Sequence, residues 1–159
     1  MIKNSIMPVE EDQEHEFKAV HYVAHPFEAI TEYCLKYINA FLNTNGGTIY
    51  FGVEDDGKIV GLNASRGQRD ELRLRIDSIV SNIRPQVDVH LYQLDFYNII
   101  DPEKPDEETE DYVIAVKVER GRAPVYKNPK GVAWMRMTGS TRKMDPLLIE
   151  ERIKQGRPE

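Results

Sequence analysis

The chain has 159 residues, of which 40% are hydrophobic and 30% charged, with a net charge of −6 and a single cysteine, Cys34. That length and composition suit one soluble globular domain with its own core. They exclude a disulfide scaffold, a Cys-rich zinc site, a membrane span, a collagen-like chain and a repeat array. The N-terminal segment MIKNSIMPVEEDQEHE lacks the apolar core of a signal peptide, so an intracellular setting is expected, cytoplasmic rather than nuclear.

Residues 1–8 read as a flexible arm and residues 9–155 as one domain. Glu16 to Val20 predicts a short strand. From Glu28 to Asn43, the residues Ile30, Tyr33, Cys34, Tyr37, Ile38, Phe41 and Leu42 fall on one face of a helix, which places Cys34 in the core. Asn45-Gly46-Gly47 ends that helix. Thr48 to Val53 is continuously apolar and predicts a central strand. Asp55-Asp56-Gly57-Lys58 is a hairpin turn, with Ile59 to Gly61 as the returning strand.

A second helix is expected from Arg69 to Ile83, stopped by Pro85. Val87, Val89 and Leu91 alternate as a strand, and Tyr112 to Glu119 is another. The loop 101–111 between them is acidic and solvated. Gly131 to Arg136 predicts a last strand. Asp145-Pro146 opens a short terminal helix that docks through Leu147, Leu148 and Ile153. The order of elements indicates an α+β fold with a mixed or antiparallel sheet, two main helices and a short C-terminal helix.

Charge is segregated along the chain. Asp101 to Asp111 holds seven acids and one base, and Glu10 to Glu16 holds five acids and no base. Arg120 to Lys143 holds seven bases and no acid: Arg120, Arg122, Lys127, Lys130, Arg136, Arg142 and Lys143. Such segregation can set a cationic surface beside an anionic pocket, whatever the net charge. Tyr126 and Trp134 interleave the basic stretch, so it can hold phosphates and stack unpaired bases. It also suits a core tryptophan with solubilising charges around it. Gly139-Ser140-Thr141-Arg142 can add donors to a phosphate.

Glu16 and Lys18 share one face of their predicted strand. A carboxylate beside an ammonium can hold a cation and offset charge on a phosphate, and it is equally an ordinary surface ion pair. Glu11 lies five residues before Glu16, so joint action needs a bend between them. Asp55, in Glu54-Asp55-Asp56, follows the central strand, where it could enter a site or simply make a turn. Together Glu11, Glu16 and Asp55 would offer only oxygen ligands, which suits Mg²⁺ or Mn²⁺ rather than Zn²⁺. The four histidines lack zinc-ligand spacing; His15, flanked by Glu14 and Glu16, is a candidate secondary proton carrier.

Glu11-x₄-Glu16-Phe17-Lys18, the run from Ile38 to Gly57 with Ala40-Phe41-x-Asn43-Thr44-x-Gly46-Gly47 and Gly52-Val53-x-Asp55-x-Gly57, Ile83-Arg84-Pro85, Pro124-Val125-Tyr126 and Met135 to Thr141 together resemble the Schlafen AlbA_2 domain. The resemblance implies a metal-dependent endoribonuclease acting on structured RNA, such as tRNA, rRNA or small-RNA precursors. It implies Glu11, Glu16 and Asp55 as the catalytic carboxylates that hold Mg²⁺ or Mn²⁺, with Lys18 beside them. Other AlbA_2 proteins are regarded as nucleic-acid binders or regulators, so a non-catalytic module and a structural subunit of a nuclease complex are the alternatives. Vertebrate Schlafen cores carry two such lobes and a Cys/His zinc site. One lobe without that site implies a homodimer, or a hetero-oligomer with related subunits.

Overall fold

A computed structural model describes residues 1–158. Strand β1 (His15–Lys18) leads into helix α1 (Pro26–Leu42), which returns the chain to β2 (Gly47–Phe51). β3 (Leu62–Asn63), helix α2 (Arg66–Ser81), β4 (Tyr92–Asn98) and β5 (Asp111–Val118) follow. β6 (Trp134–Arg136), β7 (Thr141–Lys143) and helix α3 (Pro146–Gln155) complete the chain. The α+β class read from the sequence is the class observed.

β1 and β2 are parallel, joined through α1, with Glu16 opposite Ile49 and Lys18 opposite Phe51. β2 runs antiparallel to β5, and β3 extends the same lane along β5. β4 covers the other edge of β5, from Tyr92 opposite Val118 to Asn98 opposite Tyr112. The sheet is therefore mixed and five-stranded, while β6 and β7 form a separate hairpin.

Pro26 sits in the first turn of α1, where its missing N–H costs nothing. The apolar stripe of α1, with Cys34 fully buried, packs with α2 on one sheet face against Ile49, Phe51, Ile114 and Val116. A Cβ on Gly47 would lie 2.3 Å from the Phe41 ring and 2.8 Å from the Glu14 carbonyl, so only glycine lets β2 start this close to α1.

Several boundaries differ from expectation. Residues 1–8 are no loose arm. Their backbone bonds to Gly57, Ile59 and Ile100, and Met7 is buried with Phe17, Val53, Ile99 and Val113 on the second sheet face. Ile59 makes only a bridge to Val53, and β3 beyond it pairs with β5 in the same direction as β2 rather than returning along β2. Val89–Leu91 is a 3₁₀ turn, and the strand begins at Tyr92. α2 starts earlier than its apolar periodicity, at a capping box made by Ser65 and Gln68. Gly131 to Ala133 stays irregular, and β7 is a three-residue strand that no apolar pattern announces. α3 docks through Leu148 and Ile149 on Val125, Ala133 and Met144, whereas Leu147 and Ile153 are exposed. Among the described residues no helix is long and apolar enough to cross a membrane.

Candidate functional site

A cleft of about 520 Å³ opens beyond the carboxyl ends of the parallel pair β1 and β2. Lys18, Ala19, Tyr22, Tyr33, Glu54, Asp55 and Asp56 line it. Such a crevice outside strand carboxyl ends is where α/β sheets gather ligands. The Gly52 N–H donates to the Lys18 carbonyl at 2.9 Å, which fixes the two strand ends side by side. After β2 the chain turns at Glu54–Gly57, closed by Gly57 N–H to the Glu54 carbonyl at 2.8 Å. The Lys58 N–H donates to the Asp56 carboxylate at 3.0 Å, so Asp56 holds the turn while Asp55 stays exposed at its tip.

The bend that Glu11 requires is present. The Asp12 N–H donates to the His15 carbonyl at 3.0 Å, and Asp12 Oδ1 lies 2.8 Å from both the Glu14 N–H and His15 Nδ1. This turn folds Glu11 back so that its Oε1 accepts the Phe17 N–H at 2.9 Å. Partial burial raises the Glu11 carboxyl above its usual value of 4.5; the Phe17 bond opposes the rise, and the charges of Glu16 and Asp55 add to it. Glu11, Glu16 and Asp55 thus share one electrostatic neighbourhood. His15 is taken up by Asp12, and strand alternation separates it from the Glu16–Lys18 face.

Glu16 is buried between two cations. Lys18 Nζ stands 3.1 Å from its Oε1, and Arg136 Nη2 3.1 Å from its Oε2. Lys18 also lies 5.0 Å from the Tyr33 ring centroid and 5.7 Å from that of Tyr37. Burial opposes its charge, but Tyr37 and Glu16 more than offset this, so Lys18 holds its proton more tightly than a free lysine. It is a fixed positive charge, not a proton donor near neutral pH.

Arg136 corrects the sequence reading. It belongs to the basic stretch expected to hold phosphates, yet it is 3% exposed. Nε donates to the Gln13 carbonyl at 3.1 Å, Nη1 to Thr141 Oγ1 at 2.8 Å and Nη2 to the Asp12 carbonyl at 2.6 Å. It therefore holds both the Asp12 turn and Glu16. Tyr126 is likewise buried, with its hydroxyl accepting the Arg122 and Ala123 N–H groups, so it cannot stack bases. Trp134 is half-buried, with Lys36 and Lys143 over its ring at 4.9 and 5.6 Å. Arg122, Lys130, Arg142 and Lys143 are exposed, while Arg120 and Lys127 are half-buried.

Two asparagines missed by the sequence reading deliver Arg136. Asn39, within α1, and Asn43, its C-cap, are fully buried. Asn39 Oδ1 accepts the Trp134 N–H at 2.6 Å, and Asn43 bonds the Tyr126 N–H and the carbonyls of Tyr126 and Trp134. Thr44 Oγ1 accepts the Arg136 N–H at 2.9 Å. Asparagine recurring four residues apart at the end of an apolar helix was the available signal, since a buried amide needs partners.

The carboxylates do not form a closed ligand set. Among the described residues no three His, Cys, Asp or Glu side chains converge closely enough to hold one metal ion. Glu16 could reach a cation only by sharing an oxygen that Lys18 or Arg136 already holds. Glu11 and Asp55 have no ion-pair partner among the described residues. Mg²⁺ typically takes one or two carboxylates with waters and substrate phosphate, so these two oxygen donors fit that cation class.

The fold resembles that of the DIP2311 protein from Corynebacterium diphtheriae, at a TM-score of 0.58 and 19% identity. The match covers 92% of this chain and 25% of that one, so the chain spans about a quarter of that protein's length. The family model described as Schlafen, AlbA_2 matches residues 11–145, from the Glu11 turn to the cap of α3. With most of its length inside that match, the chain belongs to the Schlafen AlbA_2 family.

Proposed function

We propose that this chain is an endoribonuclease lobe whose acidic cleft works on structured RNA together with Mg²⁺ or Mn²⁺. Membership of the Schlafen AlbA_2 family points to work on nucleic acid. The observation that carries the finer reading is the charge arrangement at the ends of β1 and β2. Asp55 and Lys18 line the cleft, Glu11 feels the charge of both, and among the described residues neither carboxylate has an ion-pair partner. The cation would be held by Glu11 and Asp55, and it would supply Lewis-acid polarisation of a phosphate oxygen. Lys18 would offset negative charge building on phosphorus. Glu16, neutralised by Lys18 and Arg136, orients Lys18 rather than competing for the substrate. Tyr22, 75% exposed at the cleft wall, offers a ring for an unpaired base. Arg122, Lys130, Arg142 and Lys143 provide exposed charge for the RNA backbone. A second lobe, from another copy or a related subunit, would complete a clamp around a folded RNA.

The engagement of both Glu16 oxygens favours a second reading, a module that binds RNA without cutting it. A cleavage assay on folded tRNA with Mn²⁺ separates the two. Wild-type cutting that falls at least about 100-fold in Asp55→Asn, with binding retained, supports the nuclease. Binding without cutting by either protein supports the module.

A further inference from the structure

Three arginines outside the cleft gather where α1 ends. Arg120 follows β5, Arg152 lies in the last turn of α3, and Arg157 comes just after it. Arg152 Nη1 donates to the Asn43 carbonyl at 2.7 Å. Arg157 donates to the carbonyls of Thr44 and Ala123, and Arg120 to that of Pro158. All four acceptors are main-chain oxygens. Among the described residues, none of the three guanidinium groups has a carboxylate within ion-pair distance.

Capping explains only part of this. A helix C-terminus carries about half a negative charge, far less than three guanidinium groups bring. Each guanidinium has five donors, so most remain unused. Arg152 Nε is buried with no partner among the described residues. Burial first, and then Arg152 and Arg120, lower Arg157 to about 10, so the groups repel one another at close range. Arg152 and Arg157 also line a cleft of about 290 Å³ with Glu151, Gln155 and Pro158. Among the described residues Glu151 is the one acid on that wall.

We propose that this cluster is a second anion site, which takes a phosphate group of nucleic acid between Arg120, Arg152 and Arg157. A phosphate brings acceptor oxygens to the spare donors and charge to relieve the repulsion. Tyr33 of the acidic cleft and Thr44 under the cluster are eleven residues apart, about 16 Å along a helix, or roughly five nucleotides of a stacked strand. The site deepens the nucleic-acid reading, yet phosphate binding by itself does not depend on the acidic cleft.

The full chain is titrated with inorganic phosphate at constant ionic strength, and the arginine Nε–H resonances are followed. A saturable shift of Arg152 is expected. Arg157→Gln and Arg120→Gln should each weaken binding by about tenfold, the loss of one charge-assisted contact. Glu151→Gln should tighten it, and Asp55→Asn should leave it unchanged. Eight-nucleotide RNA strands with and without a 5′-phosphate then identify the source. A preference for the phosphorylated strand marks a terminal phosphate, and equal binding that is lost in Arg157→Gln marks a backbone phosphate. No saturable shift, or equal binding by wild type and Arg157→Gln, overturns the site. Loss of cleavage without change in phosphate binding tests the acidic cleft alone, so the two readings fail separately.

Discussion

Every nitrogen of Arg136 has a partner in the protein, and its charge answers that of a buried Glu16. Removing one member of a buried pair costs about 3–5 kcal/mol, against a total stability of roughly 5–15 kcal/mol. Arg136→Met is therefore expected to lower the urea midpoint sharply, with Arg136→Lys intermediate because it keeps the charge and loses the fork. An unchanged midpoint in Arg136→Met would show the guanidinium to be dispensable. Glu11 gives the opposite sign. Its carboxyl is raised, so the folded chain binds that proton more tightly than the unfolded one. Ionising it thus costs stability, a cost that appears as pH rises through and above the usual 4.5 and is absent well below it. Glu11→Gln keeps an oxygen for the Phe17 N–H and should melt higher than wild type at pH 7, with the gap closing towards pH 4. Mn²⁺ should narrow the pH 7 gap by stabilising only the wild type. Glu16 and Lys18 share a strand face that alternation alone announces, and the structure pairs them at 3.1 Å. Arg136 was not legible, because nothing in a run of surface-type bases marks the one that lies about 120 residues from its partner and is buried against it.

Helices and strands were legible wherever periodicity spoke, as in α1 and β5, and illegible where an element is short or is held by side-chain amides. β6 and β7 have three residues each, and Asn39 and Asn43 provide much of their attachment to α1. These asparagines bond main-chain groups of residues 126 and 134, much as a neighbouring strand would. Asn43→Leu is close in size but strands the Tyr126 N–H and the Trp134 carbonyl, while the Tyr126 carbonyl keeps the Asn39 amide. At about 1–3 kcal/mol for each unsatisfied group, a loss of at least about 2 kcal/mol is expected by chemical denaturation. Ser65→Ala supplies the scale. It removes the cap of α2 where only exposed groups are involved, and should cost about 1 kcal/mol. Comparable losses in the two variants would mean that water satisfies the groups Asn43 leaves behind.

At the scale of the molecule, the N-terminal segment closes one face of the sheet and the α1–α2 layer closes the other, so the acidic cleft is a break between two covered faces. The basic stretch 120–143 divides in the fold. Arg136 turns inward to neutralise Glu16, and Arg122, Lys130, Arg142 and Lys143 remain exposed. Net charge conceals this, because the loop 101–111, whose acids at 103 and 106–108 are exposed, accounts for the whole excess of acid. Phosphate contacts release counterions, so affinity for single-stranded RNA should fall with salt at a slope of about −0.7 for each contact. With those four bases in contact the slope is about −3, and Arg142→Gln should reduce its magnitude by about 0.7. Arg136 contributes nothing to this term, because it is buried. Arg136→Lys, if folded, should therefore keep the wild-type slope even where it lowers stability. A slope near zero in the wild type would remove the exposed bases from RNA contact, and a slope that falls in Arg136→Lys as much as in Arg142→Gln would mean that the buried guanidinium is released when RNA binds.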